Sequence, residues 1–202
     1  MWPRKFLDAQ VSLTDADDVS GVEAAAVIEE AYKSAGAAGD FFGDLMTQLY
    51  FADDKTIPEG VARSQPQRLE QSAMANLYLG YVRLESGKSL LAIPPLKKAA
   101  ALKSEWPDPY AAMARAYRNL RNWTAAVKFA DTAIKIDPED SDAHYQRACA
   151  LARLGRVKEA LGSLTRAFEL DPDLLETINE EADLKILASQ PAFKKLVTEQ
   201  KQ

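Results

Sequence analysis

Histidine and cysteine are almost missing from this chain: His144 and Cys149 are each the sole residue of their kind. One cysteine permits no internal disulfide, which suits a reducing compartment. Histidine-based nucleophilic triads and His/Cys metal sets lack their parts, so His144 is expected to pack or cap and Cys149 to act as a small apolar residue. No catalytic residue, cofactor or metal is expected, and the chain reads as a non-enzyme. Long apolar runs are missing too: none approaches the roughly 18 residues of a membrane span. Met1-Trp2-Pro3-Arg4-Lys5 is followed by no apolar signal core, so a cytoplasmic, soluble chain is expected. Positive charge is in deficit, with 25 Lys and Arg against 30 Asp and Glu and a net charge of −5. That balance argues against nucleic acid or an anionic membrane as partner.

What is present is a period. Asp137-Pro138 and Asp171-Pro172 lie 34 residues apart, and the same offset relates Ala92, Ala126 and Ala160, and again Ala99, Ala133 and Ala167. The period divides residues 73–174 into 73–106, 107–140 and 141–174, each reading as a helix, a tight turn and a second helix. In the last unit Ala148 and Leu151 face inward from the first helix. Val157, Ala160, Leu161, Leu164, Ala167 and Phe168 then form one stripe of the second. Gly87 and Gly155 supply left-handed turn residues, with Arg121 in the equivalent place between them. Small residues at Gly80, Ala114 and Ala148 are expected to meet Ala92, Ala126 and Ala160, letting paired helices approach closely. Each Asp-Pro ends a second helix, because the residue before proline is pushed from the α region, and Ser141 or Asp173 is expected to cap the next helix.

Leu79-Gly80, Ala92 and Ala99, Tyr117, Ala126, Ala133 and Pro138, and Ala148, Leu151, Ala160, Leu164, Ala167 and Pro172 together resemble the tetratricopeptide repeat signature. Asn76, Tyr110 and His144 stand at its usual tryptophan place, and Arg83 and Arg147 at places usually apolar. The resemblance implies an all-α fold, a right-handed α–α superhelix of three repeats with helical caps at both ends. It also implies a protein-interaction scaffold whose first helices line a concave, peptide-binding face. By register that face includes Tyr78, Tyr81, Arg115, Arg118, Asn119, Tyr145, Gln146 and Arg153. Arginine forks pair with carboxylates, so the expected ligand is a protein or peptide with acidic residues. The clamp by which some family members hold the acidic tails of heat-shock chaperones is missing, since its places hold Leu77, Tyr81, Ala112, Asp142 and Gln146.

Outside the repeats, residues 1–20 read as an acidic arm and 21–66 as a helical cap and loop. Phe6 to Tyr32 carries seven acids and no Lys or Arg. Asp15 to Asp18 invites a calcium-loop reading, but Ser20 and Ala26 occupy its glycine and glutamate places, and helix capping by acids explains the run better. A helix is expected over 21–35, ended by Gly36 and Gly39, then a second with Phe41, Phe42, Leu45, Met46, Leu49 and Tyr50 on one stripe. Asp53 to Pro66 reads as a loop. Gly87-Lys88-Ser89 is no phosphate-binding loop, because Val82 stands where that motif needs glycine and a helix precedes it; it reads as a corner between two helices with Ser89 as N-cap. Pro94-Pro95 should kink or delay its helix and bare the carbonyls of Leu90 and Leu91. Residues 175–202, with Leu184, Leu187, Phe193 and Leu196, should close the last apolar face. The alternative function is self-assembly into a homo-oligomer, through the aromatic N-terminal helix or the acidic arm.

Overall fold

A computed structural model of the chain describes residues 40–51, 55–178 and 181–199. The expected arm over 1–20, the helix over 21–35 and the Asp15 to Asp18 run lie outside the described residues. Every regular element among those described is helical. None of these helices is long and apolar enough to cross a membrane. The chain divides into two compact units, Met1–Ser104 and Glu105–Gln202.

Unit 1 comprises α1 (Phe41–Tyr50), α2 (Thr56–Ser64), α3 (Pro66–Gln71), α4 (Ala73–Glu85) and α5 (Ser89–Leu102). Phe42, Leu45, Met46 and Leu49, spaced three and four apart, bury one face of α1 against Ile57 and Val61 of α2 and Ala75 and Leu79 of α4. Two caps join the starts of α1 and α4. Asp40 accepts from Gly43 N (2.9 Å), while Ser72 accepts from Ala75 N (2.9 Å) and donates to Asp40 Oδ2 (2.6 Å). At the tryptophan place, buried Asn76 donates to the Leu69 and Ser72 carbonyls and so fixes the end of α3 to the first turn of α4. A Cβ on Gly80 would lie 2.4 Å from Leu96 Cδ2, so the space this glycine leaves is taken by Leu96.

Three expectations for unit 1 are corrected. Most of the expected loop from Asp53 to Pro66 is α2, whose Pro58 sits in the first turn, where the missing N–H has no intrahelical partner to lose. Lys88, not Ser89, occupies the N-cap of α5, with no side-chain bond to the helix. Finally, α5 starts at Ser89 and runs through Pro94 and Pro95 without delay. The Leu91 carbonyl, which residue 95 cannot satisfy, accepts instead from Arg83 Nη1 (2.9 Å).

Unit 2 comprises α6 (Asp108–Asn119), α7 (Trp123–Ile136), α8 (Ser141–Arg153), α9 (Val157–Leu170), α10 (Leu174–Thr177), a 3₁₀ turn (Lys185–Leu187) and α11 (Pro191–Glu199). Helices α6 and α7 pair, α8 and α9 pair, and α8 also packs on α6 and α7. Ala148, Leu151, Ala160, Leu164, Ala167 and Phe168 are completely buried between them. The core continues into Ile178, Leu184, Leu187 and Leu196, with Phe193 against it, so the C-terminal segment covers this apolar face. α8 is capped by Asp140, which accepts from Ala143 N (2.9 Å); the expected cap, Ser141, is the helix's first residue. Asp173 stands before α10 but makes no capping bond.

One turn recurs at three places. Gly87, Arg121 and Gly155 have φ of 71°, 59° and 74°. In each, that residue's N–H reaches the carbonyl three residues back and the next N–H reaches five back: Gly87 to Leu84 and Lys88 to Arg83, Arg121 to Arg118 and Asn122 to Tyr117, Gly155 to Ala152 and Arg156 to Leu151. This closes each first helix and reverses the chain. The second helices end alike, with Asp137 N on Ala133 O and Asp171 N on Ala167 O. Each aspartate side chain then accepts from the N–H two residues on.

Candidate functional site

The residues expected on a ligand-binding face fall into separate settings. In unit 1, Tyr78 and Tyr81 project from successive turns of α4 into a ring cluster with Tyr50 and Phe51. Tyr50 lies 5.2 Å from Tyr78 and 5.7 Å from Tyr81, centroid to centroid. Phe51 lies 6.3 Å from Tyr78 in an edge-on arrangement. The Lys55 ammonium sits 4.6 Å from the Tyr50 ring centre, and the Tyr50 hydroxyl donates to Glu85. Phe51 is 72% exposed, so the rings form a partly open aromatic surface.

In unit 2 the arginines meet carboxylates. Arg118, near the end of α6, donates through Nη1 to Glu181 Oε2 (2.6 Å) and Asp183 Oδ2 (3.2 Å). Arg153, the last residue of α8, brings Nε to 3.6 Å from Asp183 Oδ1 and lays its guanidinium 5.1 Å from the Trp123 ring centre. Both acids belong to the short segment before the 3₁₀ turn, and Asp183 N donates to Glu181 Oε1 (3.1 Å). Arg118 is well buried and its Nε has no partner. Burial alone would lower the Arg118 pKa; Coulombic coupling to Cys149 and the bonds to Glu181 and Asp183 raise it above the ordinary guanidinium value. Burial, together with Glu181, keeps the Asp183 carboxyl above its ordinary range despite Arg118 and Arg153.

The remaining expected residues of unit 2 have other settings. Tyr145 is buried in the core of unit 2. Gln146 is buried and donates to Asp142 Oδ1 (2.8 Å), with its own Oε1 unpartnered. Arg115 is half-buried and Asn119 exposed on α6. Sequence reasoning missed the two acids, because Glu181 is 63 positions from Arg118 and nothing in the repeat period points outside residues 73–174.

The side chains best suited to chemistry take structural roles. Burial pushes the Cys149 thiol well above its ordinary value, more than neighbouring Arg118 pulls it down, so the thiol stays protonated and unreactive. His144 places Nε2 3.1 Å from the Pro138 carbonyl. His144 and Ser163 line one open crevice of about 400 Å³. The Ser163 hydroxyl accepts there from Arg147 Nη1 (2.5 Å), whose Nε reaches Asp131 Oδ1 (2.6 Å). Arg147, at a usually apolar place, thus ties α8 to α7 and α9.

Comparison with known proteins bears on the fold. Tetratricopeptide repeat models match residues 107–140 and 141–174. No curated protein matches the chain. Among solved structures, MamA from Desulfovibrio magneticus RS-1 (residues 41 to its end) is 19% identical, covers 86% of this chain and 98% of its own, and superposes with a TM-score of 0.58. MamA of strain MSR-1 is 24% identical over 84% of this chain and 96% of its own, with a TM-score of 0.55. A thermophilic tetratricopeptide repeat protein of Thermus thermophilus is 20% identical, covers 81% and 97%, and has a TM-score of 0.58. At these identities the likeness establishes the fold, an α-helical repeat. With repeat models matching both 107–140 and 141–174, residues 107–174 are two tetratricopeptide repeats.

Proposed function

We propose that the chain is a protein-interaction module whose repeats hold an extended peptide bearing acidic residues. One observation carries this reading: Arg118 and Arg153, from two different first helices, converge on carboxylates presented by a non-helical segment. Guanidinium groups, one mostly buried and one at the rim, suit carboxylates by shape and charge. Arg115 and Asn119 are the other expected residues of α6 that remain open to solvent in unit 2, while Tyr145 and Gln146 lie beneath the surface. The residues best suited to chemistry, Cys149, His144 and Ser163, each have a structural role, which favours binding over catalysis. Retention on an acidic peptide array tests the reading. Arg115→Ala/Arg118→Ala/Arg153→Ala, checked for helicity, should lose at least about tenfold in affinity, the equivalent of one charge-assisted bond. An unchanged array profile overturns it.

Self-assembly has one observation in its favour, the exposed Phe51 beside Tyr50, Tyr78 and Tyr81. Phe42, Leu45, Met46 and Leu49 of α1 are buried within unit 1, so a second copy cannot dock on them without unpacking it. Light scattering over a concentration series tests this second reading. Mass rising with concentration in the wild type and falling back in Phe51→Ser supports it; a constant monomer mass removes it.

A further inference from the structure

We infer that the segment Glu181 to Leu187 is an internal stand-in for the ligand, and that the partner fitted to this surface is a peptide with two acids one residue apart followed by leucine. The inference rests on the acidic-peptide reading and specifies it. The segment reads Glu181-Ala182-Asp183-Leu184, and it engages unit 2 at two kinds of point. Its carboxylates take Arg118 and Arg153. Its leucines, Leu184 and Leu187, are completely buried in the apolar cluster that holds Tyr145, Cys149 and Leu151. A cationic fork beside an apolar pocket is a two-part recognition surface, in which charge orients and burial holds.

The way the segment is held makes it replaceable by another chain of the same chemistry. Its backbone hydrogen bonds close on themselves: Leu184 N to Glu181 O (3.2 Å), Leu187 N to Leu184 O (2.8 Å), Ala188 N to Lys185 O (3.1 Å) and Gln190 N to Leu187 O (2.9 Å). What joins it to the repeats is therefore side-chain burial and ion pairing, which a competing peptide can reproduce. The fit is also incomplete, because Arg118 Nε is buried without a partner, and a ligand that supplied an acceptor there would remove that defect. Acidic residues alone are insufficient, since they would leave the leucine pockets empty. Occupation by the chain's own segment lowers the apparent affinity for any outside peptide by the fraction of molecules in which the surface is open.

The test uses the full chain and a fluorescein-labelled synthetic peptide with the sequence of residues 181–190, read by anisotropy. Glu181→Gln/Asp183→Asn/Leu184→Ala weakens the internal segment without deleting it. This variant should bind the peptide at least about tenfold more tightly than the wild type, and adding Arg118→Ala should abolish the gain. Equal, measurable binding by wild type and variant overturns the stand-in while leaving the acidic-peptide surface intact. No binding by either overturns both. Should the variant not fold, hydrogen exchange on the wild type decides. Saturating peptide should speed exchange of the Leu184 and Leu187 amides, and unchanged exchange with peptide bound overturns the inference.

Discussion

At the scale of single residues, the repeats tolerate substitutions that the family pattern alone would count as defects. Arg121 holds the left-handed turn position that Gly87 and Gly155 hold elsewhere. A side chain there costs about 1–2 kcal/mol, partly offset because glycine would loosen the unfolded chain. Arg121→Gly should therefore raise stability by about 0.5–1 kcal/mol, read as a higher urea midpoint with unchanged slope. Asp140 illustrates the opposite case, a good cap with an ill-placed charge. Burial raises its pKa, the Ala143 N–H lowers it, and Asp142, Asp108 and Asp137 raise it again, leaving it above the ordinary aspartate value. A carboxyl raised on folding stabilises fully below its unfolded pKa, and that contribution is lost as pH rises through the folded value. Asp140→Asn keeps the acceptor and drops the charge. At pH 7 it should be at least as stable as the wild type, with a flatter stability profile just above the ordinary aspartate range. Asp140→Ala should lose about 1 kcal/mol in thermal melts at low pH, because the cap itself is gone, and less as pH rises through the raised Asp140 value.

Helices and their junctions show what was legible in the sequence. The hairpins of unit 2 were readable because alanine and leucine recur every three or four residues and Asp-Pro stops each second helix, signals that act within one turn. α2 was misread because Pro58 and Gly60 look like breakers, although Ile57, Val61 and Ala62 already form a helical stripe. The caps were misplaced by a residue because several adjacent side chains could serve and only backbone geometry selects one. α5 continues as helix through two prolines, and one carbonyl they leave open is satisfied from outside it. Arg83 of α4 covers the Leu91 carbonyl and binds Glu59 of α2 (3.1 Å and 3.3 Å). Burial pushes the Glu59 carboxyl up, but Arg83, Lys88 and Arg63 outweigh it and leave it below the ordinary range. Arg83→Met should cost about 1–2 kcal/mol. In Pro95→Ala the restored N–H satisfies Leu91 within the helix, so the same substitution should cost about 1 kcal/mol less there. A double-mutant cycle in urea checks the coupling, and additive losses would mean that Arg83 acts through Glu59 alone.

For the molecule as a whole, the C-terminal segment has two physical functions that mutation can separate. It finishes the core of unit 2 with Leu184 and Leu187, as any repeat array needs its last apolar face covered. It also neutralises Arg118, a charge mostly shielded from water in unit 2. That second function could not be read from residues 107–174, since a half-buried arginine in a repeat looks the same whether it awaits a ligand or already has one. Leu187→Ala removes a completely buried side chain and should cost about 2–5 kcal/mol, with no rescue from any charge change. Arg118→Met strands Glu181 and leaves Asp183 with Arg153 alone, both acids mostly shielded from water, and should cost about 3 kcal/mol. Making those acids neutral in the same chain, as Arg118→Met/Glu181→Gln/Asp183→Asn, should return most of that loss, because an apolar side chain and two amides leave no unpaired buried charge. Thermal unfolding of these variants beside the wild type, tracked by circular dichroism, separates the terms. If the triple variant melts no higher than Arg118→Met, the segment is held by its leucines alone, and the arginines on α6 and α8 contribute nothing to where it lies.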